Sequence, residues 1–456
     1  MTLPTIDIVD FTACMAGAAA IAWLLPSRGR TATVASTVLL GGAVGLAALL
    51  QLDGRVLVAD RALVWGPFVR WWLLAASGSL LGLHLVGIAA GARAAAAPQS
   101  LAALAAMAVA LTLDDPLASL LVLTAASLVA LGSHPAAAEV RVATITAGLA
   151  LVGAGIALTV QTPGHALFDL TQVVASALFM GATAVAIRAG AFPVARLSRS
   201  IAALPPSVAA GPARSWLPAT SLLLLVEVTA GYLGPTGGDL SSTAATIRFA
   251  GVAALAVVCI VTLLARDVDR LVGGTVVVNG SLLLFALVPD VLREPALGSR
   301  AVAAWLPLFA VTASWAVAWL VALRGTESAL AVGIRGWARL RPVLALALVA
   351  GGAMSYGWPG SLTWEARAAL LDLAIEPGDL RRAAGVLAWL PALGLVRVLF
   401  TGLRHGGPLT PATASGARRH SMARRFGLGR ILRGPSIASF LVLLLALAPA
   451  LLARGP

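Results

Sequence analysis

Apolar runs long enough to cross a bilayer alternate with short polar turns along almost the entire chain. About fourteen can be marked, each near the ~20 residues that a membrane-spanning helix needs. They lie at 8–25, 33–51, 66–91, 99–113, 115–133, 139–161, 167–189 (with a short continuation to 204), 215–235, 243–265, 270–289, 301–323, 340–375, 383–403 and 433–453. The shortest separation is the turn at Asp114-Asp115-Pro116. Two spans are interrupted: the seventh at Gly190-Ala191-Phe192-Pro193, the twelfth between Gly357 and Gly360, around Pro359. Proline and glycine at such points free backbone groups that neighbours must satisfy. The pattern predicts an all-α polytopic membrane protein of about 14 transmembrane helices, with discontinuous helices 7 and 12. Three regions follow: helices 1–3 over 1–98, a core of helices 4–13 over 99–405, and a basic loop with the last helix over 406–456.

Composition agrees. Of 456 residues 59% are hydrophobic and only 11% charged, which excludes an ordinary water-soluble globular protein. Cys14 and Cys259 both lie in apolar runs and cannot build a disulfide framework or a four-ligand metal site. His84, His134, His165, His405 and His420 show no metal-ligand spacing. There is no phosphate-binding loop, dinucleotide fingerprint or metal-ligand cluster. No cofactor, no metal and no catalytic chemistry are therefore expected in this chain. The first apolar run follows Asp7 and Asp10 rather than a basic segment, so a cleavable signal peptide is not expected.

Charge sets the orientation. The net charge is +13, and all 32 basic residues are arginine. Arginine stays protonated in proteins, whereas a buried lysine readily shifts its pKa. Nucleic-acid binding is not expected, because the arginines sit in short loops between apolar spans. Loops after odd-numbered spans carry Arg28, Arg30, Arg93, Arg141, Arg196, Arg199, Arg214, Arg266, Arg270, Arg324, Arg335, Arg339 and Arg341. Loops after even spans carry Asp53, Asp60, Asp114, Asp115, Asp169, Asp239, Asp290, Glu294, Asp372, Glu376 and Asp379, with fewer arginines. This asymmetry predicts cytoplasmic odd loops and both termini outside, in a bacterial inner (plasma) membrane. The loop 404–433 holds Arg404, Arg418, Arg419, Arg424, Arg425, Arg430 and Arg433, with Phe426 and Leu428 interleaved. It reads either as an amphipathic helix on lipid or a partner, or as a solvated cytoplasmic loop.

Charges within spans or at their breaks mark candidate ion-pathway residues: Arg188, Glu227, Glu365, Arg367 and Arg397. Each is costly in lipid, so each is expected to face the bundle interior and find a partner. Glu365 and Arg367 stand two apart and do not share a helix face, so pairing with other helices is expected. Glu227, in LLLLVEVTAG, is either a proton relay or a static ion-pair partner of Arg188 or Arg367. His84 is a titratable group in an apolar run, with a hydrogen-bonded packing role as the plainer reading.

Three motifs carry a family resemblance. ARDVDRLVGGTVVVNGSLLLFAL (Ala265–Leu287) keeps Arg270 and Leu271 of a Lys-Arg-Leu-Leu-Ala-Tyr-Ser-Ser run, with Asp269 where lysine is usual and Asn279 where histidine is frequent. WARLRPVLALALVAGGAMSYGWPGSLTWEAR (Trp337–Arg367) matches a basic loop, a Pro-Leu-Leu-Ala run and a Gly-x-Pro-Pro break, with Arg367 on a lysine. IRAGAFP (Ile187–Pro193) matches Lys-x-Gly-Ala-x-Pro at a seventh-helix break, with Arg188 on the lysine. Val396-Arg397-Val398 fits a Leu-Arg-Val motif. In these respects, over roughly residues 100–405, the chain resembles the antiporter-like membrane subunits of respiratory complex I. That family includes the Mrp-type cation/proton antiporters and the membrane arms of group 4 hydrogenases. The motifs resemble those of subunit N of complex I and those of the Mrp D-type subunit alike.

The resemblance implies an ion-translocating subunit that couples a driving reaction to proton or sodium movement. Its implied partners are the other membrane subunits of a multisubunit complex and the lipid bilayer. Its implied place is a non-redox membrane subunit of an NADH-quinone oxidoreductase-like translocase. The departures are pointed. The family's fifth-helix glutamate falls at about Thr124, and the eighth-helix lysine has no clear counterpart, with Trp216 near its position. The relay thus becomes Thr124, Arg188, nothing certain and Arg367, which implies a degenerate or lost lysine relay. Two further readings stay open: conduction through Glu227, Glu365 and His84, or service in an energy-coupled inorganic-carbon uptake complex whose zinc-containing soluble partner binds the basic loop.

Overall fold

The computed structural model describes residues 5–25, 30–58, 61–90, 97–131, scattered positions between 142 and 156, 211–233, 241–265, 268–282, 285, 288, 295–324, 335–376, 378–404 and 435–452. The seventh span, with Arg188, and the loop 405–434 lie outside the described residues.

The apolar runs fold as helices. These are α1 (Ile8–Leu24), α2 (Arg30–Leu49), α3 (Pro67–Ala89), α4 (Ala97–Thr112), α5 (Pro116–Leu131), α6 (Trp216–Leu233) and α7 (Ser241–Leu263). They continue with α8 (Val268–Leu282), α9 (Pro295–Arg324), α10 (Pro342–Tyr356), α11 (Leu362–Ala374), α12 (Asp379–Leu387), α13 (Leu390–Leu403) and α14 (Pro435–Leu452). The chain is a multi-pass membrane protein. By length and composition five described segments suffice to cross a bilayer: Thr31–Leu49, Pro67–Ala89, Ala244–Leu263, Val302–Leu323 and Asp379–Leu403.

Local chemistry sets the helix ends. Asp7 accepts from the Asp10 N–H at 2.7 Å and caps α1. Asp115, before Pro116, accepts from Leu117 and Ala118 and starts α5, so the short Asp-Asp-Pro turn is a true boundary.

Two features depart from the predicted plan. The polar turn between the second and third spans is an antiparallel hairpin, β1 (Gly54–Val58) with β2 (Arg61–Trp65), registering Gly54 opposite Trp65. A Cβ at residue 54 would overlap the Trp65 indole, so only glycine fits there. Pairing satisfies the backbone of a segment too short for another helix. The thirteenth span is jointed rather than continuous. Pro391 has no N–H to continue the ladder, and the Trp389 N–H bonds to Val386 O at 3.0 Å instead of reaching Gly385.

Around α9, buried along nearly all of Val302–Leu323, pack α3, α6, α8, α10, α11 and α14. Its indoles pack on α10. Trp315 Nε1 donates to Ala347 O at 3.2 Å, and Trp319 Nε1 donates to Leu344 O at 3.3 Å. Gly351 lies flat against Trp315, where a Cβ would overlap the ring. Close approach over small residues is the usual way membrane helices gain packing contact when lipid is as apolar as the side chains.

Candidate functional site

The predicted break in the twelfth span is present between α10 and α11. Gly357 ends α10 in the left-handed region at φ 67, and the Trp358 N–H reaches back five residues to Ala353 O at 3.0 Å. Gly360 is also left-handed at φ 83. Ser361 then caps α11 by accepting from the Trp364 N–H at 3.3 Å.

Arg367 sits on α11 and is only 3% exposed. Its guanidinium turns back across the break: Nη1 donates to Tyr356 O at 2.6 Å, the last residue of α10. Nη2 donates to Gly385 O on α12 at 3.2 Å. That carbonyl is free because the joint before α13 diverts the Trp389 N–H to Val386. The same joint brings the Trp389 ring to 6.0 Å from the guanidinium carbon. Tyr356, Trp358 and Trp364 surround Trp389 at ring-centre separations of 6.3, 6.5 and 6.4 Å. The arrangement holds a fixed positive charge on two main-chain dipoles and an aromatic face.

A polar strip adjoins it. Tyr356 Oη and Thr275 Oγ1 are 2.7 Å apart, and Thr275 Oγ1 also donates to Leu271 O at 3.0 Å. Asn279, one turn along α8 from Thr275, is buried, as is Ser355 beside Tyr356. Asn279 Oδ1 and Ser355 Oγ have no hydrogen-bond partner among the described residues.

The other predicted residues are dispersed. His84 is buried in α3, with Nε2 unpartnered among the described residues. Thr124 is half-buried on α5, donates to Leu120 O at 2.8 Å, and packs against Gly148. Asp269 lies in the first turn of α8. Glu227 on α6 and Glu365 on α11 are exposed in the isolated chain. Arg397, also exposed, donates to Ala265 O at 2.7 Å and Leu263 O at 3.3 Å, at the end of α7. Of the predicted set, Arg367 meets this polar strip through Tyr356, and Asn279 lies one turn along α8 from Thr275.

Sequence reasoning missed the partners. Arg248, within α7, donates to Ala374 O at 2.6 Å at the end of α11. Arg341 donates to Ala322 O at 2.6 Å near the end of α9, and Arg70 donates to Ala48 O at 2.7 Å near the end of α2. Tyr356 and Trp389 were likewise not singled out. An interrupted span ending in an aromatic residue was the one available signal for Tyr356.

No family model matches the sequence, and no curated protein matches it. Solved structures do match its fold. A chain of the Mrp complex from Dietzia sp. DQ12-45-1b superposes with a TM-score of 0.68 at 17% identity, covering 98% of this chain and 95% of that one. A chain of respiratory complex I from Thermus thermophilus with bound aureothin gives 0.68 at 16% identity, covering 97% and 98%. A chain of the membrane-bound sulfane sulfur reductase, an archaeal respiratory membrane complex, gives 0.67 at 15% identity, covering 95% and 74%. The fold of this chain is the fold of these membrane-complex chains.

Proposed function

We propose that this chain, sharing its fold with chains of Mrp and respiratory complexes, is an antiporter-like membrane subunit of a complex I-related assembly, in which the lysine relay is degenerate and ion conduction is weakened or lost. The assembly would couple a driving reaction to proton or sodium movement, with the other membrane subunits as partners. The observation that carries this reading is Arg367. The position that resembles a family lysine holds a guanidinium committed to two carbonyls, and arginine does not give up its proton in a protein. Thr124 supports it, because a hydroxyl bonded to its own helix replaces the family's carboxylate. On this reading the fixed arginines tune the electrostatics of neighbouring subunits. The charge asymmetry of the loops favours a bacterial inner membrane with both termini outside.

The test is proton uptake in vesicles bearing the purified native complex, with Arg188→Ala, Arg367→Lys and Thr124→Glu introduced in turn. Little difference between native and Arg188→Ala subunits is expected. Pumping through the native subunit that Arg188→Ala abolishes would refute the degenerate reading. Identifying the co-purifying subunits separates a respiratory assembly from the inorganic-carbon alternative.

A further inference from the structure

We propose that the junction of α10, α11, α12 and α13 is a binding site for a small guanidinium-type cation, which this chain fills with its own Arg367 side chain. Two interruptions of helical hydrogen bonding meet there. At the first, α10 ends at Tyr356, whose carbonyl lies at the break and accepts from Arg367. At the second, the joint between α12 and α13 sends the Trp389 N–H to Val386 O, and Gly385 O is left for a side chain. Both carbonyls sit near C-terminal ends of helices, where the backbone dipoles present negative charge. Half-helix C-terminal ends with unwound carbonyls are a known means of coordinating cations within a membrane. The Trp389 ring supplies a third element, a π face at 6.0 Å.

No carboxylate is needed to explain the charge. Glu365 is exposed, and Asp372 pairs with Arg381 between α11 and α12. The first acceptor adjoins a closely packed turn: Gly357 is left-handed, and a Cβ there would lie 3.0 Å from Trp364 Cα. Two convergent oxygens and one aromatic face match a planar, forked donor. The tethered guanidinium therefore acts as an internal plug. This inference deepens the proposed function, since a filled cation site at the break is one way to weaken conduction. Its test reads binding and not transport, so the two can fail separately.

The experiment uses the full chain in nanodiscs, wild type and R367A, with the melting temperature followed against methylguanidinium chloride. Tetramethylammonium chloride at equal ionic strength is the control. R367A is expected to melt below wild type and to regain stability along a saturating methylguanidinium curve, with no gain from tetramethylammonium. Wild type is expected not to respond. Adding W389A to R367A should weaken the response. Equal responses of wild type and R367A, or equal responses to the two salts, would overturn the proposal. If R367A does not accumulate folded, R367Q is titrated instead, and the absence of a saturable gain there overturns it equally.

Discussion

Arg397 on α13 donates to the main-chain oxygen of Ala265 at 2.7 Å, just past the end of α7. Among the described residues the same relationship recurs: Arg70 serves α2, Arg248 serves α11, Arg341 serves α9 and Arg367 serves α10. The last carbonyls of a helix have no intrahelical donor, and a cation there also meets the negative end of the helix dipole. At the buried Arg367 no water reaches these carbonyls, so a long forked side chain from a neighbouring helix satisfies them.

Arg397→Ala is expected to free the end of α7 without unfolding the bundle. Hydrogen exchange should quicken at the amides just before Leu263 and Ala265, with little change in α9. Uniform protection in the variant would show that the guanidinium contributes nothing to that helix end.

Replacing Arg367 tests the opposite extreme, a buried donor. Arg367→Met leaves Tyr356 O and Gly385 O without their partner, and an unsatisfied buried polar group costs about 1–3 kcal/mol. Arg367→Lys keeps the charge but not the fork, so its melting temperature should fall between those of wild type and Arg367→Met. A lysine variant as stable as wild type would show that one bond suffices.

Gly357 and Gly360 should respond unequally to alanine. Both have positive φ, which costs an L-residue about 1–2 kcal/mol. A Cβ at 357 would also lie 3.0 Å from Trp364 Cα, while one at 360 meets open space. Gly357→Ala is therefore expected to destabilise more than Gly360→Ala in the same thermal assay. The reverse order would mean that the break relaxes around residue 357.

The Thr275–Tyr356 hydrogen bond invites a double-mutant cycle. Thr275→Val strands the buried tyrosine hydroxyl, and Tyr356→Phe strands the threonine less, since its hydroxyl keeps Leu271 O. The double variant should cost less than the sum of the singles, with a coupling of about 0.5–1.5 kcal/mol. Strict additivity would mean that the two hydroxyls do not bond in the membrane.

Much of this architecture was legible because its cause is local. Apolar runs, the Asp-Asp-Pro turn and the Gly-Trp-Pro-Gly break each act through residues adjacent in sequence. The hairpin at 54–65 was not read, since its strands are short and flanked by spans that dominate the pattern. The joint at Trp389 was missed because proline at the start of a helix is unremarkable until the preceding turn is seen to divert its N–H. Of the site, Arg367 was found from its place in a motif, but its acceptors were not. Arg248 escaped notice altogether, and a carbonyl accepting from a residue 126 positions away leaves no trace in local pattern.

The last described helix has a consequence for biogenesis. α14 packs on α3, α9 and α10, so its contacts join the first third of the chain to the twelfth-span region. Those surfaces must wait, against lipid or an insertion factor, until residue 435 onward has been synthesised. Bundle closure is thus a late event, and a ribosome halted before Pro435 would leave an inserted but unsealed intermediate. Such an intermediate is a natural substrate for membrane quality control.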